Sequence, residues 1–373
     1  MSTQAVDTST GAPAVERVRA RVFEIPTDAP EADGTLAWDA TTLVLAEATA
    51  GDETGIGFSY TSSAAADVIQ GMLAGVVQGL DATSPGAAWE KMRAAVRNAG
   101  YPGVISSALA AVDTALWDMK ARLLNISLSG LLGRVHDGVP VYGSGGFTSY
   151  SDARLEHQLA AWVEGGMARV KMKVGSDPGR DPERVRRARD AIGPDVELFV
   201  DANGAYERKQ ALGLAHTFVE ESGATWFEEP VSSDDLEGLR LLRDRVPAPM
   251  AVAAGEYGYD LFYFRRMLDA GAVDVLQADV TRCGGVTQML RVAALCEANA
   301  VPLSAHTSPS IHAHVGSAIP ALAHVEYFHD HARIESLLFD GLPVLREGKL
   351  WPDAGVPGLG LSLRVGDAER YER

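Results

Sequence analysis

The sequence is poor in cysteine, lacks any long apolar run and has no surplus of positive charge. Cys283 and Cys296 are the only cysteines in 373 residues, and they do not form a CxxC pattern. This argues against a disulfide framework or a thiolate zinc site and suits a reducing cytoplasm. No stretch approaches the ~18 consecutive apolar residues of a membrane span. The formal net charge of -17 argues against a nucleic-acid backbone or an anionic membrane as partner, because both need excess Lys and Arg. Residues 1–14 carry no basic stretch followed by an apolar run, so they read as a frayed tail and not a signal peptide. A Gly-rich phosphate fingerprint is missing too, since Gly143-Ser144-Gly145-Gly146 does not satisfy GxGxxG.

What remains is an ordinary globular composition, 46% hydrophobic and 22% charged, with ample length for more than one domain. Val15 to Pro26, Thr41 to Ala48 and Thr54 to Tyr60 pattern as strands. Asp28 to Trp38, with Pro30, Asp33 and Gly34, reads as a loop between the first two. Helical stretches follow at Ala64 to Gln78 and Ser107 to Leu124. Strands followed by helices predict an α+β domain over residues 15–132.

From Val139 the rhythm changes to short apolar strands alternating with amphipathic helices, which predicts parallel βα units over residues 133–335. Candidate strands are Pro140–Tyr142, Arg169–Lys173, Leu198–Asp201, Thr225–Glu228, Ala251–Ala254, Val273–Gln277, Val301–Ser304 and His324–Tyr327. Eight strands in about 190 residues is the count of a (β/α)8-type barrel. Residues 336–373 are loop-rich and are expected to fold back on the first domain.

In such a barrel the chemistry sits at the C-terminal ends of the strands. The charged residues there are Lys171 and Lys173, Asp201, Glu228, Glu256, Asp279, His306 and Glu326. From Lys173 onward, successive members lie roughly 20–28 residues apart, about one βα unit. Read singly, each acid suits a solvated or ion-paired strand end. As a set, Asp201, Glu228 and Glu256 on three adjacent strands would repel one another unless a cation joined them. An all-oxygen donor set selects Mg²⁺, with Mn²⁺ as the alternative, over zinc.

Lys171 and Lys173 share a strand face, and two neighbouring ammonium groups would lower the pKa of one of them toward that of a base. Asp279 beside His306 would fix the imidazole tautomer; the competing reading is a histidine satisfied by backbone. Asn203 shares a face with Asp201. Glu229 should point away from the site, and Glu326 is either a substrate contact or a structural acid. His312, His314, His324, His329 and His331 are close in sequence, but no HxxxH pair supports a zinc site among them.

Together the segments Val170-Lys-Met-Lys-Val174, Val200-Asp-Ala-Asn-Gly204, Trp226-Phe-Glu-Glu-Pro230, Gly255-Glu256, Asp279-Val-Thr-Arg-Cys-Gly-Gly285 and His306 resemble the enolase superfamily. The KxK and the Asp–His pair resemble its mandelate racemase-like subgroup. The resemblance runs from about Val15 to Gly360. It implies an α/β fold, a modified (β/α)7β TIM-type barrel with an N-terminal α+β capping domain and a C-terminal segment returning to the cap. Asp201, Glu228 and Glu256 would bind Mg²⁺. Lys173, with Lys171 beside it, would be the base on one substrate face, and His306, oriented by Asp279, would serve the opposite face. Glu326 would assist the substrate carboxylate. Asp28 to Trp38 and Gly55 to Ser62 would be mobile capping loops, bringing Trp38 and Tyr60 to the substrate together with Asn203 and Lys171.

The implied chemistry is removal of the proton α to a carboxylate, giving an enediolate stabilised by the metal. Enolase-superfamily sites are themselves a standard instance of a Lys or His base working beside Mg²⁺, so this expectation follows from the resemblance. Dehydration of a sugar acid to a 2-keto-3-deoxy acid is the first expectation. Racemisation or epimerisation of a 2-hydroxy acid is the alternative, and a non-catalytic Mg²⁺- or sugar-acid-binding protein is the reading from another class. A homo-oligomer, dimer to octamer, is expected on the same resemblance.

Overall fold

The computed structural model describes residues 13–373; the expected tail lies outside them except for Pro13 and Ala14. The first sheet is antiparallel, in the order β1 (Arg17–Ala32), β2 (Ala37–Ala50) and β3 (Glu53–Tyr60). Helical turns α1 (Ala64–Val68) and α2 (Ala74–Val77) flank a π-helical turn at Ile69–Leu73. They are followed by α3 (Pro85–Ala95), α4 (Val104–Leu123) and the short α5 (Leu128–Leu131). Helix α4 lies across β2 and β3 and buries Leu109, Val112, Leu116 and Met119 against the sheet residues Val44, Ala46 and Ala48.

The segment Asp28 to Trp38 is not the loop expected from its Pro, Asp and Gly. Strand β1 continues to Ala32 and pairs again with β2 through Glu31↔Trp38 and Ala32↔Ala37, after a register shift between Pro26 and Glu31. Pro30 is tolerated because β1 is a sheet edge, where a missing N–H need not cost a ladder bond. The turn itself is only residues 33–36, closed by Asp33 Oδ1 accepting from the backbone N–H of Thr35 (2.6 Å) and Leu36 (2.8 Å). Gly55 to Tyr60 is likewise strand β3, so both expected loops are largely paired backbone.

Eight parallel strands then close into a barrel: β4 (Val139–Gly145), β5 (Arg169–Lys173), β6 (Glu197–Asp201), β7 (Ala224–Glu228), β8 (Ala251–Ala254), β9 (Val275–Ala278), β10 (Leu303–Ala305) and β11 (Leu322–Phe328). Closure is the β11–β4 pairing, Val325↔Val141 to Phe328↔Ser144. Helices α6 (Asp152–Glu164), α7 (Asp181–Ile192), α8 (Arg208–Ser222), α9 (Leu236–Arg245), α10 (Leu261–Asp269), α11 (Val286–Ala298), α12 (Pro309–Gly316) and α13 (His329–Leu338) follow the strands in turn. Helices α3 and α5 have no counterpart among the helical stretches expected of the first domain. Helix α12 escapes periodicity altogether, because every one of its residues is buried.

The C-terminal residues return to the first sheet, where Arg373 N–H donates to Val22 O (3.0 Å) and Phe23 bridges to Glu372. At the cap–barrel junction, Gly34 approaches the barrel so closely that a Cβ there would stand 2.5 Å from Ala202 O and 2.8 Å from Val174 O. Among the described residues no helix is long and apolar enough to cross a membrane.

Strand β3 meets α4 at a glycine for a similar reason. A Cβ on Gly55 would lie 2.2 Å from Met119 N and 2.3 Å from Ala115 O, both backbone atoms. Gly55→Ala is therefore expected to destabilise the protein by about 1–3 kcal/mol through overpacking. Urea denaturation checks this; an unchanged midpoint would show that the helix can move away freely.

Candidate active site

The barrel rim collects charge because seven of the eight barrel strands, β5 to β11, carry an ionisable residue at or near their C-terminal ends. Lys171 and Lys173 on β5 alternate with the outward Met172, so both enter the barrel and both are buried. Asp201 ends β6 and Glu228 ends β7; Glu256 lies two residues beyond β8, and Asp279 and His306 one residue beyond β9 and β10. Glu326 is on β11. All eight are buried.

Lys171 Nζ is shared by three carboxylates: Glu228 Oε1 at 2.5 Å, Glu326 Oε1 at 2.8 Å and Asp201 Oδ2 at 3.1 Å. Lys173 Nζ donates to Asp201 Oδ2 (2.5 Å) and to Asn203 Oδ1 (3.1 Å). Trp226 Nε1 donates to Glu228 Oε2 (3.0 Å) and Ser144 Oγ to Glu326 Oε1 (2.5 Å). On the far side, Asp279 Oδ1 accepts from Thr281 N (2.7 Å) and Oγ1 (2.8 Å). That leaves Oδ2 for His306 Nδ1 at 2.8 Å. Since a carboxylate only accepts, Nδ1 carries the hydrogen and Nε2 faces the site, 3.3 Å from Glu256 Oε2.

Carboxylates outnumber cations here. Six buried acids, Asp201, Glu228, Glu229, Glu256, Asp279 and Glu326, face Lys171, Lys173, Arg282 and His306. Even with His306 protonated, the rim is two positive charges short. The shortfall surfaces as proton affinity. Burial and then the neighbouring Asp201 push Glu228 up to about 8. Burial and then Glu256 raise Glu229 well above the ordinary carboxylate range. Asp201 and Glu326 behave oppositely. Burial works against ionisation of Asp201, but Lys173 and Lys171 outweigh it and hold that group low. Against the same burial, Lys171 and then His306 bring Glu326 down to about 2.

The lysines depart from expectation. Burial favours their neutral forms, but Glu228 and Glu326 around Lys171, and Asp201 beside Lys173, raise both above the usual lysine value. The repulsion between the two ammonium groups is smaller than the field of the acids, so neither is depressed. His306 is also raised: burial opposes its charge, and Glu256, Glu326 and Asp279 prevail.

Ligand atoms of Asp201, Glu228 and Glu256 lie within 4.8 Å of one another, and Glu256 Oε2 accepts no hydrogen bond. Three convergent hard oxygens and a deficit of two charges fit a divalent cation of the Mg²⁺ type. Glu229 stays outside this trio, as expected, yet it does not face away from the site. Its backbone turns to φ 38°, which breaks strand alternation and buries the side chain beside Glu256.

Above the rim is a cavity of about 420 Å³ under the first sheet. Lys173, Asn203, Glu256 and His306 reach its wall, and Trp38 and Tyr60 close it from the cap. Lys171, Asp201, Glu228, Asp279 and Glu326 form the buried layer beneath. Arg282, Thr307 and His331 stand on the same wall without having been marked as site residues by the sequence. Arg282 pairs with Glu256 (3.2 Å) and approaches Asp279 (3.6 Å), its i−3 neighbour. The Asp-Val-Thr-Arg spacing was the available signal. His331 stacks on Tyr60, with ring centroids 3.4 Å apart; nothing local marks it. The histidines near the chain's end do not converge: His312 is satisfied by Val280 N and Thr307 O, and His324 by Ser304.

An eight-stranded parallel barrel carrying this acid and base set beneath an α+β cap defines an enzyme of the enolase type. The chain belongs to the enolase superfamily, in its mandelate racemase-like subgroup: residues 154–368 match the enolase C-terminal domain-like family, and residues 32–133 match the mandelate racemase / muconate lactonizing enzyme N-terminal domain. It is 54% identical to a mandelate racemase/muconate lactonizing enzyme-like protein from Rubrobacter xylanophilus, with a TM-score of 0.95 over 97% of this chain and 100% of that one. It is 32% identical to the 3,6-anhydro-alpha-L-galactonate cycloisomerase of Streptomyces coelicolor, over 84% of this chain and 88% of the relative. A structure of the L-talarate/galactarate dehydratase of Salmonella typhimurium, liganded with Mg and L-lyxarohydroxamate, superposes with a TM-score of 0.89 at 26% identity, covering 100% of this chain and 96% of that one.

Lys171→Met would leave three buried carboxylates without their shared cation. The expected loss is about 3–5 kcal/mol of unfolding free energy, read by urea denaturation in the presence of a chelator. Wild-type stability would mean that the acids relieve their repulsion by some other route.

Proposed function

We propose that this chain is a Mg²⁺-dependent lyase that dehydrates a sugar acid to a 2-keto-3-deoxy acid. The observation that carries the reading is the two-sided placement of proton-transfer groups about one acid trio. Lys173 contacts the Asp201 end, at 2.5 Å, and His306 the Glu256 end, at 3.3 Å. A substrate carboxylate over the trio would thus have a lysine toward one face of its α carbon and a histidine toward the other. The dehydratase and cycloisomerase names among the relatives support chemistry on sugar acids.

Asp201, Glu228 and Glu256 would hold the ion; bound Mg²⁺ supplies Lewis-acid stabilisation of the negative charge that grows on the substrate carboxylate. The remaining work falls to protein groups. With a bound cation offsetting the field of the acids that keeps Lys173 charged, its amine would fall toward the range of a base. Lys173 takes the α proton. Lys171, fixed by Glu228 and Glu326, keeps an ammonium beside the developing charge. His306 Nε2 gives its proton to the departing β-hydroxyl, which leaves as water, while Asp279 fixes the ring through Nδ1 and steadies its charged form. The resulting enol tautomerises to the 2-keto acid. Asn203, Trp38 and Tyr60 would contact the substrate from the cavity wall and help exclude water.

The same pair of groups would also serve racemisation or epimerisation, so the test separates the outcomes. The protein is incubated with Mg²⁺ and a panel of acid sugars in D₂O. A 2-keto acid signal is the expected result. Deuterium at C2 without net turnover would replace dehydration by racemisation or epimerisation, and neither signal on any acid would leave only binding.

Glu228→Gln is expected to lower Mg²⁺-dependent exchange at least about 100-fold, a scale typical of losing an electrostatic contact to the transition state. Full activity would remove Glu228 from the metal site. His306→Asn should stop the reaction in at least one stereochemical direction in the same exchange assay; wild-type rates both ways would refute its role.

A further inference from the structure

A second group of ligand-type side chains lies outside the acid trio, at the seam between cap and barrel. Asp28 and Glu31 come from β1, and His329 is the first residue of α13, directly after β11. One ligand atom from each lies within 4.8 Å of the others. We propose that Asp28, Glu31 and His329 form a separate cation site that takes a borderline divalent ion of the Zn²⁺ class and ties the capping hairpin to the barrel.

Glu31 is the residue that needs a partner. It is completely buried. Its Oε2 accepts from Trp38 Nε1 (2.9 Å), whereas its Oε1 has no hydrogen-bond partner. A buried carboxylate left in that state costs several kcal/mol. The nearby cations are engaged elsewhere: Arg333 donates to Asp330 Oδ1 (2.6 Å), and Arg154 to Asp28 Oδ1 (3.1 Å). Among the described residues no ion pair reaches Glu31. Asp330 adds negative charge beside it without competing as a ligand, since its other oxygen accepts from Thr41 (2.5 Å).

Asp28 Oδ2 and His329 Nε2 already face each other at 3.2 Å. Asp28 is exposed, so an ion has a route in and water can complete its coordination. One imidazole nitrogen and two carboxylate oxygens favour Zn²⁺ over Mg²⁺, in contrast to the all-oxygen trio of the rim. Glu31 also holds Trp38, which lines the cavity. Occupancy would therefore fix one wall of the cavity as well as the seam.

The test is equilibrium dialysis of the full-length protein against micromolar Zn²⁺ in millimolar Mg²⁺, with bound zinc measured by mass spectrometry. Wild type is expected to retain about one more Zn²⁺ per chain than Glu31→Gln or His329→Ala, and Glu228→Gln to keep that ion. Glu31→Gln keeps an acceptor for Trp38, and His329 is only half-buried, so both variants should fold; circular dichroism verifies this. Equal zinc in wild type and both variants, or a loss confined to Glu228→Gln, overturns the site. Because the readout is bound zinc, the result is independent of whether the rim dehydrates a sugar acid.

Discussion

Lys171 sits at 0% exposure among three carboxylates, and the barrel rim is organised around that concentration of like charge. Its acids are held at the ends of adjacent strands by a closed hydrogen-bonded wall, so they cannot spread apart. Each must instead find a cation, a hydrogen-bond donor or a proton. Asp201 and Glu326 have lysine, and Asp279 has His306, Thr281 and Arg282; Glu228 shares Lys171 with its neighbours, too little to offset burial and Asp201, and it and Glu229 keep a raised proton affinity. The unequal distribution is informative: the repulsion is greatest where the three convergent oxygens meet, and there a dication relieves it most.

The cap supplies what a bare barrel rim lacks. An open rim would leave Lys173 and His306 in water, where a proton-transfer group gains little from oriented charges. Strands β1 to β3 place Trp38 and Tyr60 over the cavity. Their positions are set from below as well: Tyr60 stacks on His331 and Trp38 is held by Glu31. The pocket wall is thus shared between the two halves of the chain, and its shape depends on how they are joined.

The barrel was legible because its unit repeats. A charged residue recurring once per βα unit marks strand ends even where the strand bounds are off by a residue or two, as at Val275–Ala278 and Leu303–Ala305. The acid trio, both lysines and the Asp279–His306 pair follow from that period, and the structure does bring them together. What escaped depends on contacts between distant segments. Glu229 obeys a local turn at φ 38°, not strand alternation. His331 matters through Tyr60, far away in sequence. Pro30, Asp33 and Gly34 spell a loop locally, but pairing with β2 overrides that preference. The sign of the lysine shifts needed a census of every neighbouring charge, whereas a KxK motif displays only two.

The contact of Gly34 with the carbonyls of Val174 and Ala202 brings the hairpin tip against the segments that leave β5 and β6, immediately beyond Lys173 and Asp201. A tip resting on this backbone has little freedom to lengthen or to bulge inward. Variation in what the pocket accepts is thereby channelled into side-chain identity at Leu36, Trp38 and Thr41, and away from insertions. Relatives that differ in substrate at a common hairpin length would diverge first at those three positions, while the residue at the tip stays without a side chain.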